Sequence, residues 1–164
     1  MSVNTRHTTK LTYNDYVHFP NDGNRHEIID GVHYMAPSPT SGHQDASRHI
    51  QFQLYRDIEE RGLGRVYNAP MDLQLSETDV VEILSPATTE RDRTLKLKLY
   101  EQRSVPEYWI VDPNGHAVTR YRLGGDGTYS LVETYTDEVT YAVPPAEGRS
   151  EAAEARVDLK KVWT

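Results

Sequence analysis

Between Leu11 and Trp163 the apolar residues fall into short periodic groups, and the period changes several times along the chain. "LTYNDYVHFP" opens the series. Tyr13, Tyr16 and Val17 sit at helical spacing, Thr12 is placed to cap them with Asp15 in the first turn, and Pro20 closes the segment. In "HEIIDGVHYMAP" two short strands flank Asp30-Gly31, a dipeptide that favours a tight hairpin turn. Pro37 and Pro39 interrupt the pattern. Ala46, Ile50, Leu54 and Ile58 then recur every fourth residue, which predicts a helix stopped at Gly62.

Period two returns where Met71, Leu73 and Leu75 alternate with polar neighbours, and "DVVEILS" follows almost at once. Residues 89–103 join a capping-box-like Thr89 and Asp92 to Leu-Lys-Leu-Lys-Leu, an alternation that suits a strand equally well. The cap and the later Pro106 favour a helix. "EYWIVDP" reads as a buried strand, "HAVTRYRLGGDGTYSLVETY" as a hairpin around Gly124 to Gly127, and Val157, Leu159, Val162 and Trp163 as a last short docking element. The expected class is mixed α/β (α+β) in one domain spanning 1–164.

Composition narrows the chemistry. With 18 Lys plus Arg against 25 Asp plus Glu the net charge is −7, which opposes nonspecific attraction to nucleic acid or an acidic membrane, so any phosphate contact must be local. Cysteine is absent, which excludes disulfides, thiolate metal sites and a cysteine nucleophile. No signal-peptide-like leader is visible, and no apolar run approaches the ~20 residues that span a bilayer. A cytoplasmic location is the expectation. A nucleophile elbow, a phosphate loop and a dinucleotide fingerprint are all lacking, so acyl transfer, nucleotide hydrolysis and hydride transfer drop in rank.

What remains centres on one carboxylate. In an extended "VVEILS", Glu82 shares a face with Val80 and Leu84, while Val81 and Ile83 take the other. A carboxylate in such company is partly desolvated and needs a cation, a hydrogen-bond donor or a metal ion. Lys96 and Lys98 are the nearest cations in sequence. On a helix, Asp92, Lys96 and Tyr100 stack at i, i+4 and i+8 as one polar stripe, with Lys98 pointing elsewhere. Arg91, Arg93 and Arg103 make this helix the most basic part of the chain, and Arg91, Arg93 and Lys98 are the candidate phosphate contacts. Each feature has a plainer reading: Asp92 as a cap residue, Lys96 and Tyr100 as a solvated pair, Glu82 as a structural ion pair at a sheet end. Among seven histidines no compact ligand pattern occurs, and His26 with His33 would need the hairpin register to meet, so zinc is not expected. His43, between the Pro-rich turn and the helix, is a candidate hydrogen bonder beside a pocket. Glu27 is a second carboxylate in an apolar strand.

"LTYNDYVHFP", "HEIIDGVHYMAPSPTSGHQ", "VEILSPATTERDRTLKLKLYEQRSVPEYWIVDP" and "VTRYRL" together resemble the Uma-two family of restriction-endonuclease-like proteins, within the PD-(D/E)XK nuclease superfamily. The resemblance implies a central mixed sheet flanked by helices, with added N-terminal and C-terminal hairpins, and a metal-dependent phosphodiesterase site. Hard oxygen ligands suit magnesium, or manganese, and a nearby ammonium favours hydroxide. Carried over, Glu82 matches the metal-binding Glu. The superfamily's lysine position two residues later is Leu84 here, and the Uma-two lysine lies on the following helix within Asp92, Lys96 and Tyr100. Glu27 matches the acidic position of the family's N-terminal hairpin, and His43 its histidine after the Pro-rich turn.

One departure stands out. In the family a "PD" strand supplying the first metal ligand precedes "VEILSP", whereas here "SETDVV" runs straight into "EILSP". Asp79 lies three residues before Glu82 and so faces the opposite way on an extended strand. Asp72, on the preceding strand, is the freer substitute, which gives Glu82 and Asp72 as the candidate metal ligands. The expected function is a magnesium-dependent DNA endonuclease, inactive if that site is incomplete, with a homodimer allowed by the resemblance. The alternative is a non-catalytic nucleic-acid or protein-binding module on the same fold.

Overall fold

In the computed structural model, which describes residues 10–69, 79–143 and 151–163, the chain runs from one helical turn, α1 (Tyr13–Tyr16), into a hairpin of β1 (Arg25–Ile29) and β2 (Val32–Ala36). Thr12 starts α1 as expected: the Asp15 carboxylate accepts from its backbone N–H at 2.7 Å and from its hydroxyl at 2.8 Å. The hairpin turns through Asp30 and Gly31 at φ 48° and 80°, the left-handed pair a two-residue turn needs. Its register pairs Glu27 with Tyr34 and Ile28 with His33.

Helix α2 (Ser41–Leu54) starts at Thr40, whose hydroxyl accepts from the His43 backbone N–H, and continues through a π-helical turn, Tyr55–Glu59. The fourfold repeat does what its spacing predicted: Ala46 and Ile50 are buried, Leu54 and Ile58 pack on the same core, and Gly62 ends the run at φ 65°. The strand expected at Met71 to Leu75 lies outside the described residues.

Next comes β3 (Val80–Ile83), then a helical run made of α3 (Thr89–Arg91), a π-helical turn (Asp92–Lys96) and α4 (Leu97–Gln102), then β4 (Glu107–Asp112). Because β3 and β4 are parallel, the helical run is the crossover such a pair requires. β5 (Ala117–Arg122) and β6 (Leu131–Tyr135) add antiparallel strands, giving the order β3-β4-β5-β6. A separate antiparallel pair, β7 (Glu138–Val143) and β8 (Ala153–Asp158), leads to a 3-10 turn, Leu159–Lys161. The architecture is therefore the expected mixed central sheet with helices and terminal hairpins.

Strand alternation divides the core between two faces of the sheet. Trp109, Val111 and Val118 pack with α2, β7 and β8, and Val157, Leu159 and Val162 join them, so the C-terminal element docks as its apolar residues predicted. Val80, Leu84, Tyr108 and Ile110 pack on the other face with Tyr100 of α4. Val81 and Ile83 contact the α2 side, so Glu82 emerges on the α4 side among Val80 and Leu84. Among the described residues no helix is long and apolar enough to cross a membrane.

Candidate active site

Three separate segments bring their charges to one place. Glu27 comes from the hairpin, where alternation puts it on the face of Arg25 and away from His26. Glu82 comes from the middle of β3, and Asp92, Lys96 and Tyr100 from the helical run. In a regular α-helix four residues advance by about 40° more than a full turn, so an i, i+4, i+8 stripe drifts sideways. The π-helical turn winds more slowly, so four of its residues fall short of a full turn and offset the drift across α4 that would carry Tyr100 away from Asp92.

The Asp92 capping reading is corrected here. Thr88 is the N-cap, with no side-chain cap bond, and the Asp92 carboxylate turns inward until only 1% of it is exposed. Lys96 Nζ then stands at the focus of three carboxylates: 2.8 Å from Glu82 Oε1, 3.2 Å from Glu27 Oε1 and 3.2 Å from Asp92 Oδ1. The Tyr100 hydroxyl donates to Glu82 Oε1 at 2.9 Å. The solvated-pair reading of Lys96 and Tyr100 therefore fails, since both are buried. Glu27 and Glu82 each keep 21% of their side-chain surface.

Electrostatics follow from this packing. Burial alone would lower the Lys96 pKa, but Glu82, Glu27 and Asp92 outweigh it and raise it, so the ammonium is retained. Burial, reinforced by Glu82, pushes the Tyr100 phenol far up, so it acts only as a donor. His43 sits beside the cluster. Burial, helped by Arg25, lowers its pKa against the opposing pull of a hydrogen bond to the Ile83 backbone and of Glu82 and Asp92.

The predicted phosphate contacts do not gather. Arg91 turns inward, with Nη2 3.4 Å from Glu27 Oε2 and its guanidinium 5.2 Å from the centre of the Tyr34 ring. Arg93 stays at the surface, 3.3 Å from Asp112, and Lys98 is exposed on the outer side of α4. One residue went unseen in the sequence. Tyr108, fully buried on β4, donates its hydroxyl to the Asp92 carbonyl at 3.0 Å and so anchors the π-helical turn; in sequence it read only as an apolar strand position. His26 and His33 do meet: their rings, inclined by 15°, share a 2.9 Å contact from Nδ1 to Nε2, and Asp22 accepts the outer nitrogen of His26 at 3.0 Å.

Glu27, Glu82, Lys96, Tyr100 and His43 line a broad cleft of about 1690 Å³, bounded by the hairpin, α2 and β3. The resemblance implies a divalent ion at this cleft, but the residues described there do not fit one. Among the described residues no three His, Asp or Glu side chains are arranged to hold a metal, and Lys96 already occupies the point where the carboxylates converge. Asp72, the other candidate ligand, lies outside the described residues. The described residues thus build a lysine-centred ion cluster and not a metal centre.

Comparison with known proteins bears out the resemblance. Residues 80–154 match the family model Uma2, described as "Putative restriction endonuclease". The matched segment holds Glu82, Asp92, Lys96 and Tyr100, while Glu27 and His43 lie before it. A solved structure described as "a putative nuclease belonging to DUF820" from Anabaena variabilis ATCC 29413 shares the fold, with a TM-score of 0.63 over 93% of this chain and 97% of that one, at 15% identity. No curated protein sequence matches the chain.

Proposed function

We propose that this chain is a DNA endonuclease that hydrolyses phosphodiester bonds at the cleft wall formed by Glu82, Lys96, Tyr100 and Glu27. The observation that carries the reading is the convergence of carboxylates from the hairpin, β3 and the π-helical turn on one buried ammonium, with Tyr100 of α4 bonded to Glu82 and two glutamates that still reach the cleft. In this reading Glu82 is the central acceptor, held in place by Tyr100, and Lys96 supplies fixed positive charge toward a phosphoryl group. Asp92, below them, holds Lys96 upright. Magnesium or manganese takes no step in this account, because the described residues do not build its site; adding the ion is one arm of the test.

Plasmid nicking with and without each ion is to be compared for the wild type, Glu82→Ala and Lys96→Ala. Loss of nicking in both variants is expected. Equal activity in all three proteins would remove these residues from the mechanism.

A second reading, a non-catalytic DNA-binding module, is favoured by the inward pairing of Lys96 and Arg91 with carboxylates of the chain, which leaves the exposed cations of the helical run for contact. It predicts DNA affinity that falls steeply with salt and depends on Arg93 and Lys98. Binding that is absent or insensitive to salt would sink it.

A further inference from the structure

Behind the charge cluster lies a second, much smaller chamber of about 20 Å³. The hairpin lines it with Arg25 and Glu27, β3 with Glu82, the π-helical turn with Lys96 and the first turn of α2 with His43. Pro37 and Pro39 close its apolar side, and their fixed φ makes that wall stiff. Two buried acceptors in this lining have no hydrogen-bond partner among the described residues, Nδ1 of His43 and Oε2 of Glu27. Arg91 Nη2 lies 3.4 Å from that same Glu27 oxygen but outside hydrogen-bond geometry.

Such atoms are rare in folded proteins because protein groups or ordered waters normally satisfy them. The volume decides what can do so here. One water needs ~10–15 Å³ of such space, so the chamber takes one and has no room for a polyatomic ion. The charge of the walls also speaks against an ion, since Arg25 and Lys96 balance Glu27 and Glu82.

We infer that this chamber is a binding site for a single water molecule, held between His43 Nδ1 and Glu27 Oε2. The water gives one hydrogen to each acceptor and turns its oxygen toward the cationic side of the lining. It couples the first turn of α2 to the hairpin, which makes His43 a positioning residue that sets Glu27 against Lys96. The inference goes beyond the hydrolytic reading and stands whether or not the chain cleaves DNA.

The test is crystallographic, at a resolution that places waters, on the wild type, His43→Gln and His43→Phe. One peak within hydrogen-bond reach of both acceptors is expected in the wild type. It persists in His43→Gln, whose amide oxygen still accepts, and is lost in His43→Phe, where the 3.2 Å contact between Glu27 and Lys96 lengthens. An unfilled chamber in the wild type, or a peak that survives unmoved in His43→Phe, would overturn the inference. If the Phe variant does not fold, the wild-type map decides alone.

Discussion

Replacing Lys96 by methionine tests the charge cluster most directly, because the unbranched stem is kept as far as Cε and only the terminal ammonium is lost. Three carboxylates then face one another without their shared cation. Asp92 is affected most: its side chain is 1% exposed, and its carboxylate oxygens have no hydrogen-bond donor among the described residues. Removing one partner of a buried ion pair costs ~3–5 kcal/mol, whereas an exposed pair is worth at most ~1 kcal/mol. Lys96 is 7% exposed at the side chain, against 70% and 79% for Lys10 and Asp30, so the larger figure applies. Lys96→Met is therefore expected to lose ~3–5 kcal/mol at pH 7, a large part of the stability of any ordinary domain.

Urea denaturation followed by tryptophan fluorescence measures this loss, and pH supplies a second check. The Lys96 pKa is raised in the fold, so its contribution is complete below about pH 10.5 and is lost only as pH rises through the higher folded value. Between pH 7 and 5 the wild-type contribution is constant. Any narrowing of the gap in that window belongs to the variant, whose orphaned carboxylates take up protons. The double variant Lys96→Met with Asp92→Asn should recover part of the loss, because the most buried uncompensated charge is gone. A loss under ~1 kcal/mol, or a double variant no more stable than the single one, would refute the cluster as a buried, mutually dependent unit.

Two further outcomes follow from the surroundings of the cluster. Tyr108→Phe leaves the Asp92 carbonyl without its hydroxyl donor and is expected to cost ~1–3 kcal/mol in urea denaturation; a change near zero would remove Tyr108 as the anchor of the π-helical turn. Because the His43 pKa is lowered, the unfolded chain binds its proton first, so wild-type stability falls as pH drops below about 6.5. His43→Gln does not titrate and should flatten that part of the stability profile, whereas an unchanged profile would show that His43 is not held neutral.

Why some of this could be read from the chain and some could not comes down to distance along it. Period two placed Glu82 on the face of Val80 and Leu84, and period four placed Lys96 and Tyr100 on one stripe, since both patterns are set by local backbone geometry. The same stripe placed Asp92 beside Lys96, and it was the competing cap reading that did not hold. A cap and a buried carboxylate share one sequence signature, and what separates them is the ammonium one turn later together with a π-helical turn that has no residue signature of its own. Glu27 lies 69 residues from Lys96, so no spacing rule joins them; the strand pattern marked it as a carboxylate in apolar company, and only the family resemblance tied it to the site. Arg91 looked like part of a basic surface because a charge run on a helix usually faces solvent. Its inward turn depends on Glu27 and Tyr34, residues of the distant hairpin.

The charge count of the assembled site bears on which functional reading survives. Glu27, Glu82 and Asp92 contribute three negative charges, and Lys96, Arg91 and Arg25, the last 3.7 Å from Glu27, contribute three positive ones, which leaves the cluster neutral. A phosphodiester approaching Glu82 through the cleft meets a locally balanced cluster on a chain at −7, so the described residues alone do not attract it. Arg93 and Lys98, nearest along the chain, do not offset this, because Arg93 is paired with Asp112 and Lys98 faces outward. Catalysis at this wall therefore needs additional positive charge, and the ion arm of the nicking assay is where the readings part. Nicking that appears only with magnesium or manganese and vanishes in Glu82→Ala supports hydrolysis at this cluster. An ion-independent, salt-sensitive affinity without cleavage leaves the fold as a binding scaffold in which Lys96 serves as the permanent counter-charge.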